Sequence, residues 1–239
     1  MNVEVIVVAE ARADFEMAFG LTRRMSKEVR PNCSLASRGL ESEPDFTQWK
    51  NVCEISARHK RIRRFSLERG AFRGGDAETA WQVAAVSSLQ PIGESVRVIL
   101  LVRDTDNDKP RAQSLGEEVS RLQQNGIAFL LAQPHPKREA WILNGFVPGN
   151  SREEQLLKGE RNRLNFDPVL HSDRLTSKGN EGERNAKRVV KLVTDGDKDR
   201  EADCWRAVPL EDLRKRGSQT GLKRFLDGVQ TWLVQHVPS

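Results

Sequence analysis

The stretch VRVILLVRDTDND, residues 96–108, reads as a buried strand that ends on a cluster of acids. Val96, Val98, Ile99, Leu100, Leu101 and Val102 form an apolar run interrupted only by Arg97. A run this short and this rich in β-branched residues fits a strand covered on both faces, which is the habit of parallel sheets. VEVIVVA (3–9) repeats the pattern, broken only by Glu4, and IAFLLA (127–132) gives a third strand. Helical patterns fall between them. One is expected over 10–28, with Phe15, Phe19, Leu21 and Met25 facing a core. Others are expected over 46–60, around Phe46, Trp49 and Cys53, and over 76–90, with Asp76 as N-cap. Pro110 opens a further helix that Asn125-Gly126 ends, and one more follows Pro136, carrying Trp141, Ile142 and Leu143. Residues 29–45, with Pro31, Gly39 and Pro44, read as loop. Alternating strands and helices imply an α/β fold, a parallel sheet with helices on both faces.

This core is expected at 1–150, with a helical insertion at 29–92. Residues 151–239 are expected to be a mainly helical C-terminal extension packing on it, with helices at 184–193 and 220–236. The chain has 239 residues, 37% hydrophobic and 31% charged, enough to bury a core without cross-links. No run of 18 apolar residues exists, so no membrane-spanning helix is expected. MNVEVIVVAEARADFE lacks the basic start and small-residue cleavage site of a signal peptide. Cys33, Cys53 and Cys204 are odd in number and have no metal-like spacing, which fits a reducing, cytoplasmic setting. The net charge of +5 permits a polyanionic partner.

Ligands of open parallel sheets bind beyond the carboxyl ends of the strands. Glu10 ends the first strand, and Asp104 and Asp106 follow the second. Glu139 opens the helix after the third. In an extended segment, residues two apart point the same way, so Asp104 and Asp106 are expected to converge, with Asp108 continuing the alternation. Asp14, four residues after Glu10, is expected on the same helix face. Carboxylates crowded in this way repel unless a cation neutralises them. An all-oxygen donor set suits Mg²⁺ or Mn²⁺, which can orient a phosphate and activate water. The Gly and Glu that a calcium loop needs at its sixth and twelfth positions are replaced by Lys109 and Leu115. The second acidic run, Asp195 to Asp199, follows a helix and reads as a turn.

VIVVAE (5–10), followed by RDTDND (103–108) after an apolar strand, resembles the Toprim domain of topoisomerases, primases and OLD-type nucleases. The Glu10–Asp14 spacing is similar to the first motif of OLD-type and small stand-alone Toprim nucleases. HPKREAWILNGF (135–146) resembles a segment of the RloB-like stand-alone proteins, often encoded beside an ATPase in bacterial anti-phage defence operons. The resemblance covers about residues 3–147. It implies a metal-dependent nuclease, with DNA favoured over RNA as substrate, and an ABC- or AAA-type ATPase encoded nearby as partner. Glu10 would be a ligand and general base, and Asp104 and Asp106 metal ligands. Asp14, Asp108 and Glu139 would be further ligands, and Lys178 or Lys187 would stabilise transition-state charge. Ala11 stands where the family usually carries Gly, and residues 10–95 separate the two motif strands.

HKRIRRFSLER (59–69) sets Lys60, Arg61, Arg63 and Arg64 around Ile62, a patch able to neutralise phosphates or to serve as a solvated helix face. Arg73, before Gly74 and Gly75, could approach a phosphate closely. His135 lies near Glu139, and the five tryptophans read as core. Two alternatives remain open: a non-catalytic Toprim-like module that binds nucleic acid or a partner, and a haloacid-dehalogenase-type phosphatase using Asp104. The latter motif normally continues with Gly and Thr or Val, whereas Asn107 and Asp108 follow here. A homo-oligomer is compatible with all of these.

Overall fold

The computed structural model describes residues 2–60, 62, 75–89, 96–124, 128–177 and 182–238. The chain divides into two compact units. The first comprises Met1–Arg103, Asp108–Ala132 and Gly228–Ser239, and the second Asp104–Asn107 and Gln133–Asp227.

A parallel five-stranded sheet organises the first unit. β1 (Asn2–Ala9) lies between β2 (Ser34–Arg38) and β4 (Val96–Val102), β5 (Phe129–Ala132) flanks β4, and β3 (Thr47–Gln48) also pairs with β1. β2 takes the first half of β1, Asn2 to Ile6. β3 takes its last two residues. β1 is therefore paired along both sides, and Val5 to Ala9 are all solvent-inaccessible. Glu4 remains half-buried and forms an ion pair with Arg38 at 2.8 Å.

Successive side chains of a strand face opposite ways. Ile6, Val8, Ile99 and Leu101 share one core with α2 (Val52–Arg58), α3 (Asp76–Leu89) and α4 (Lys109–Gln124). The long helix α1 (Arg12–Val29) packs against the sheet too, burying Phe15, Ala18, Phe19, Leu21, Thr22 and Met25 at helical spacing. Arg30, just past α1, donates to the carbonyls of Val237 and Val234 and so ties down the last turn of α10 (Leu222–His236).

The parallel α/β class and the three apolar strands agree with the sequence. The expected loop at 29–45 does not, because it contains β2. Of SLASR only Leu35 is fully buried, so an edge strand of this kind carries almost no apolar alternation to read. The expected helix at 46–60 begins instead as β3 and a 3₁₀ turn (Trp49–Asn51).

The second unit is helical. It contains α5 (Arg138–Gly145), α6 (Ser151–Leu164), α7 (Ala186–Val193), α8 (Lys198–Arg206), α9 (Leu210–Arg216) and the start of α10. Residues 133–150 group with this half. Every residue of α5 from Glu139 to Gly145 is buried, as befits a helix surrounded by others. A Cβ at Gly145 would lie 1.9 Å from the Cys204 carbonyl oxygen of α8. Gly145→Ala must therefore push α8 away, and a loss of about 2–3 kcal/mol is expected in urea unfolding. Asp195 and Gly196 take left-handed backbone angles in the turn expected there, and Asp197 caps α8 through the N–H groups of Asp199 and Arg200.

Arg200 grips Glu153 with two nitrogens, at 2.8 and 2.9 Å, and donates to the Val147 carbonyl. The Arg200 hydrogen bond outweighs burial and holds the Glu153 carboxyl below the usual carboxylate range. A lowered folded pKa contributes stability above the unfolded value and loses it as pH falls through the folded one. Arg200→Leu is thus expected to show a stability deficit at pH 7 that narrows below about pH 4.5, measured by urea midpoints across pH.

Candidate metal centre

Glu10 follows Ala9, and Ala9 is paired with Val102 across β1 and β4. The two strands thus end side by side, and Arg103 is the first residue beyond β4. Its guanidinium forms an ion pair with Glu10 and donates from Nε to Asp76 at 2.9 Å. Arg111 approaches the same Asp76 oxygen at 3.2 Å. Trp49 lies under the Arg103 guanidinium, 5.7 Å from it. Burial works against the Arg103 charge, but the hydrogen bonds and charges of Asp76 and Glu10 outweigh it and raise its pKa. Two acids and two arginines therefore balance at the end of the sheet. Asp76 was expected as an N-cap. Its carboxylate is nearly buried and turns to the two arginines instead.

Ala11 has φ −143° and ψ 165°. Any residue adopts this extended backbone, so the strand-to-helix turn here has no need of glycine. Asp14 does not extend an acidic face with Glu10, which lies before α1. Its Oδ2 accepts the Ala11 N–H at 3.0 Å and caps the helix. Asp108 caps α4 in the opposite sense, as the residue before the helix, accepting the Arg111 N–H at 3.0 Å. Both belong to the first unit.

The D-x-D loop belongs to the second unit. It runs beside residues 133–138. Thr105 N–H donates to the Pro134 carbonyl and Asp106 N–H to that of Pro136, each at 2.9 Å. Thr105 Oγ1 lies 2.8 Å from His135 Nδ1, and the Thr220 carbonyl accepts the His135 N–H. Asp104 Oδ1 accepts the Arg138 N–H at 3.1 Å. A carboxylate thus sits at the N-terminus of the buried helix α5, where the helix dipole favours negative charge. Asp106 and Asn107 have φ of 51° and 60°. The expected extended alternation therefore stops at Asp106, and Asp104, Asp106 and Asp108 are not three teeth of one strand. Asp106 is 3.4 Å from Lys137. Asn107 Oδ1 accepts the Ser177 N–H at 2.9 Å. Glu139 is buried, 3.5 Å from Arg138 Nη2.

The acids expected on one rim come from both units. Glu10, Asp14 and Asp108 lie in the first unit, and Asp104, Asp106 and Glu139 in the second. Among the described residues no three His, Cys, Asp or Glu side chains form a group that could hold a metal ion. The donor chemistry of the loop still fits Mg²⁺ or Mn²⁺. Mg²⁺ keeps several waters and is commonly held by one or two carboxylates plus substrate phosphates, not by an all-protein cage. The loop carries two carboxylates, Asp104 and Asp106.

Lys187 is exposed on α7, and Lys60 is exposed after α2. Arg61, Arg63, Arg64, Arg73 and Lys178 lie outside the described residues. Trp49, Trp141, Trp205 and Trp232 are buried, as expected, and Trp81 is partly buried against the core, although Trp49 also carries the Arg103 contact. Burial pushes the Cys204 thiol up to about 12, so it is no nucleophile. Sequence reading missed Asp76 and Arg103. The positive residue directly before the D-x-D was the available signal. No family model, curated protein or solved structure matches the chain.

Proposed function

We propose that this protein is a Mg²⁺- or Mn²⁺-dependent, Toprim-like nuclease that hydrolyses phosphodiester bonds, with a nearby-encoded ATPase as partner in anti-phage defence. One observation carries the reading. A parallel pair of strands ends in register on Glu10 and on Arg103, and the D-x-D begins with the next residue. Asp104 and Asp106 would hold the ion. It would supply charge stabilisation at the transferred phosphate and a water acidified for attack. The Asp104 carboxylate is oriented by the Arg138 N–H, and the backbone of Asp106 is held by the Pro136 carbonyl, so the loop is ordered before any ligand arrives. Lys137 lies beside Asp106 and offsets its charge. Glu10 keeps the role the resemblance implies, ligand and general base, and its own substitution tests that role.

Purified protein, with and without its ATPase, is expected to cut DNA in Mg²⁺ or Mn²⁺ and to stop in EDTA. Metal-independent cutting, or none in either preparation, would sink the reading. A second reading is a non-catalytic nucleic-acid-binding module, and the ion pair that Glu10 forms with Arg103 favours it. Under that reading nucleic acid binds and remains intact.

A further inference from the structure

The second unit holds arginines that the D-x-D loop does not use. Phe166 is 8% exposed. The Arg174 guanidinium lies 4.5 Å from its ring centroid and that of Arg184 lies 6.0 Å from it. Both arginines are exposed to solvent. A second pair meets at one atom, the Glu183 carbonyl oxygen, which accepts from Arg163 Nη1 at 2.6 Å and from Arg188 Nη1 at 3.3 Å. Glu160 pairs with Arg163, and the Glu183 carboxylate adds to that neutralisation. Among the described residues, no carboxylate forms an ion pair with Arg174, Arg184 or Arg188.

An exposed arginine normally samples many rotamers, and binding an anion must first restrict them. Here two guanidiniums are placed by an aromatic ring and one by a carbonyl. Cation–π contact and a neutral acceptor fix the position without cancelling the charge. The result is a preordered cationic surface whose three guanidiniums have no ion-pair partner among the described residues, and guanidinium matches phosphate with two parallel donors.

The backbone that carries Arg174 and Arg184 is hydrogen-bonded to the D-x-D loop within the same unit. Thr176 N–H donates to the Arg184 carbonyl at 2.8 Å, and Ala186 N–H to that of Thr176 at 3.1 Å. The next residue, Ser177, donates its N–H to Asn107 of the loop. We infer that Arg174, Arg184 and Arg188 form the surface that takes the phosphodiester backbone of the nucleic-acid strand presented to Asp104 and Asp106. This inference rests on the nuclease reading for its substrate class.

The test is fluorescence anisotropy of the full chain with a labelled single-stranded DNA and its duplex, in EDTA, across about 50–200 mM salt. EDTA separates binding from cutting. Wild type is expected to bind and to weaken steeply with salt. In Arg174→Ala/Arg184→Ala/Arg188→Ala the slope of log K against log salt should fall by about 2–3, since each lost phosphate contact removes about 0.7–0.9. Affinity at low salt should drop at least tenfold. A charge-matched control, Lys27→Ala/Lys50→Ala/Lys215→Ala, should keep the wild-type slope. If the alanine variant does not fold, the Arg→Lys triple variant replaces it. That variant should keep the slope and lose affinity, because the charge remains and the paired donors do not.

Failure of wild type to bind either DNA, a wild-type slope in the alanine variant, or an equal loss in the control would overturn the inference. Patch-dependent binding without metal-dependent cutting would leave this surface standing and sink the nuclease reading. Cutting with patch-independent binding would do the reverse.

Discussion

Asp104→Asn is expected to lower metal-dependent cleavage by about 10²–10³-fold while leaving the protein folded. Loss of one ligand charge removes several kcal/mol of electrostatic stabilisation at the phosphate, and each 1.4 kcal/mol is a factor of ten in rate. Asparagine keeps an oxygen for the Arg138 N–H, so the start of α5 stays capped. Asp104→Ala should lose activity to the same extent and lose about 1 kcal/mol of stability as well, the usual consequence of removing a helix cap. Single-turnover cleavage and urea midpoints for the two variants separate these effects. Full activity in Asp104→Asn would remove the D-x-D from the chemistry.

Asp76→Ala is expected to be among the most destabilising substitutions in the first unit, at about 3 kcal/mol. It strips the Arg103 guanidinium of its Nε partner and leaves Arg111 without the same carboxylate. A buried charge that loses its partner typically costs about 3–5 kcal/mol. The lower end applies because Glu10 remains on Arg103. Glu10 is about half-exposed and water can replace it, so Glu10→Ala should cost about 1 kcal/mol or less. Urea unfolding of the two variants gives the ranking. A larger loss in Glu10→Ala than in Asp76→Ala would show that Asp76 is not the anchor of Arg103.

The parallel class was legible because β1 and β4 are long and apolar, and burial on both faces leaves that signature directly in the residues. β2 and β3 were not legible. SLASR is a polar edge strand and Thr47–Gln48 is two residues long, so both owe their state to the neighbouring β1 and not to local pattern. The fully buried α5 was readable from Trp141, Ile142 and Leu143, whereas α6 and α8 are so charged that their few buried residues give little periodicity.

The geometry expected of the acids differs from the one they take. Period-two alternation fails at Asp106 because its φ is positive, which a sequence of Asp, Thr and Asn does not announce. Asp14 and Asp108 are helix caps, a role that their place near helix starts already allowed. The Asp76–Arg103 pair joins residues 27 apart, and no local rule reaches that far.

The proposed function requires that Asp104 and Asp106 bind a divalent cation. Calorimetric titration of Mn²⁺ into the wild-type chain and into Asp104→Ala/Asp106→Ala tests it most directly. A saturable isotherm is expected in wild type and is expected to disappear in the double variant, with unfolding still cooperative in both. An isotherm that survives the double substitution, or none in wild type, would contradict it.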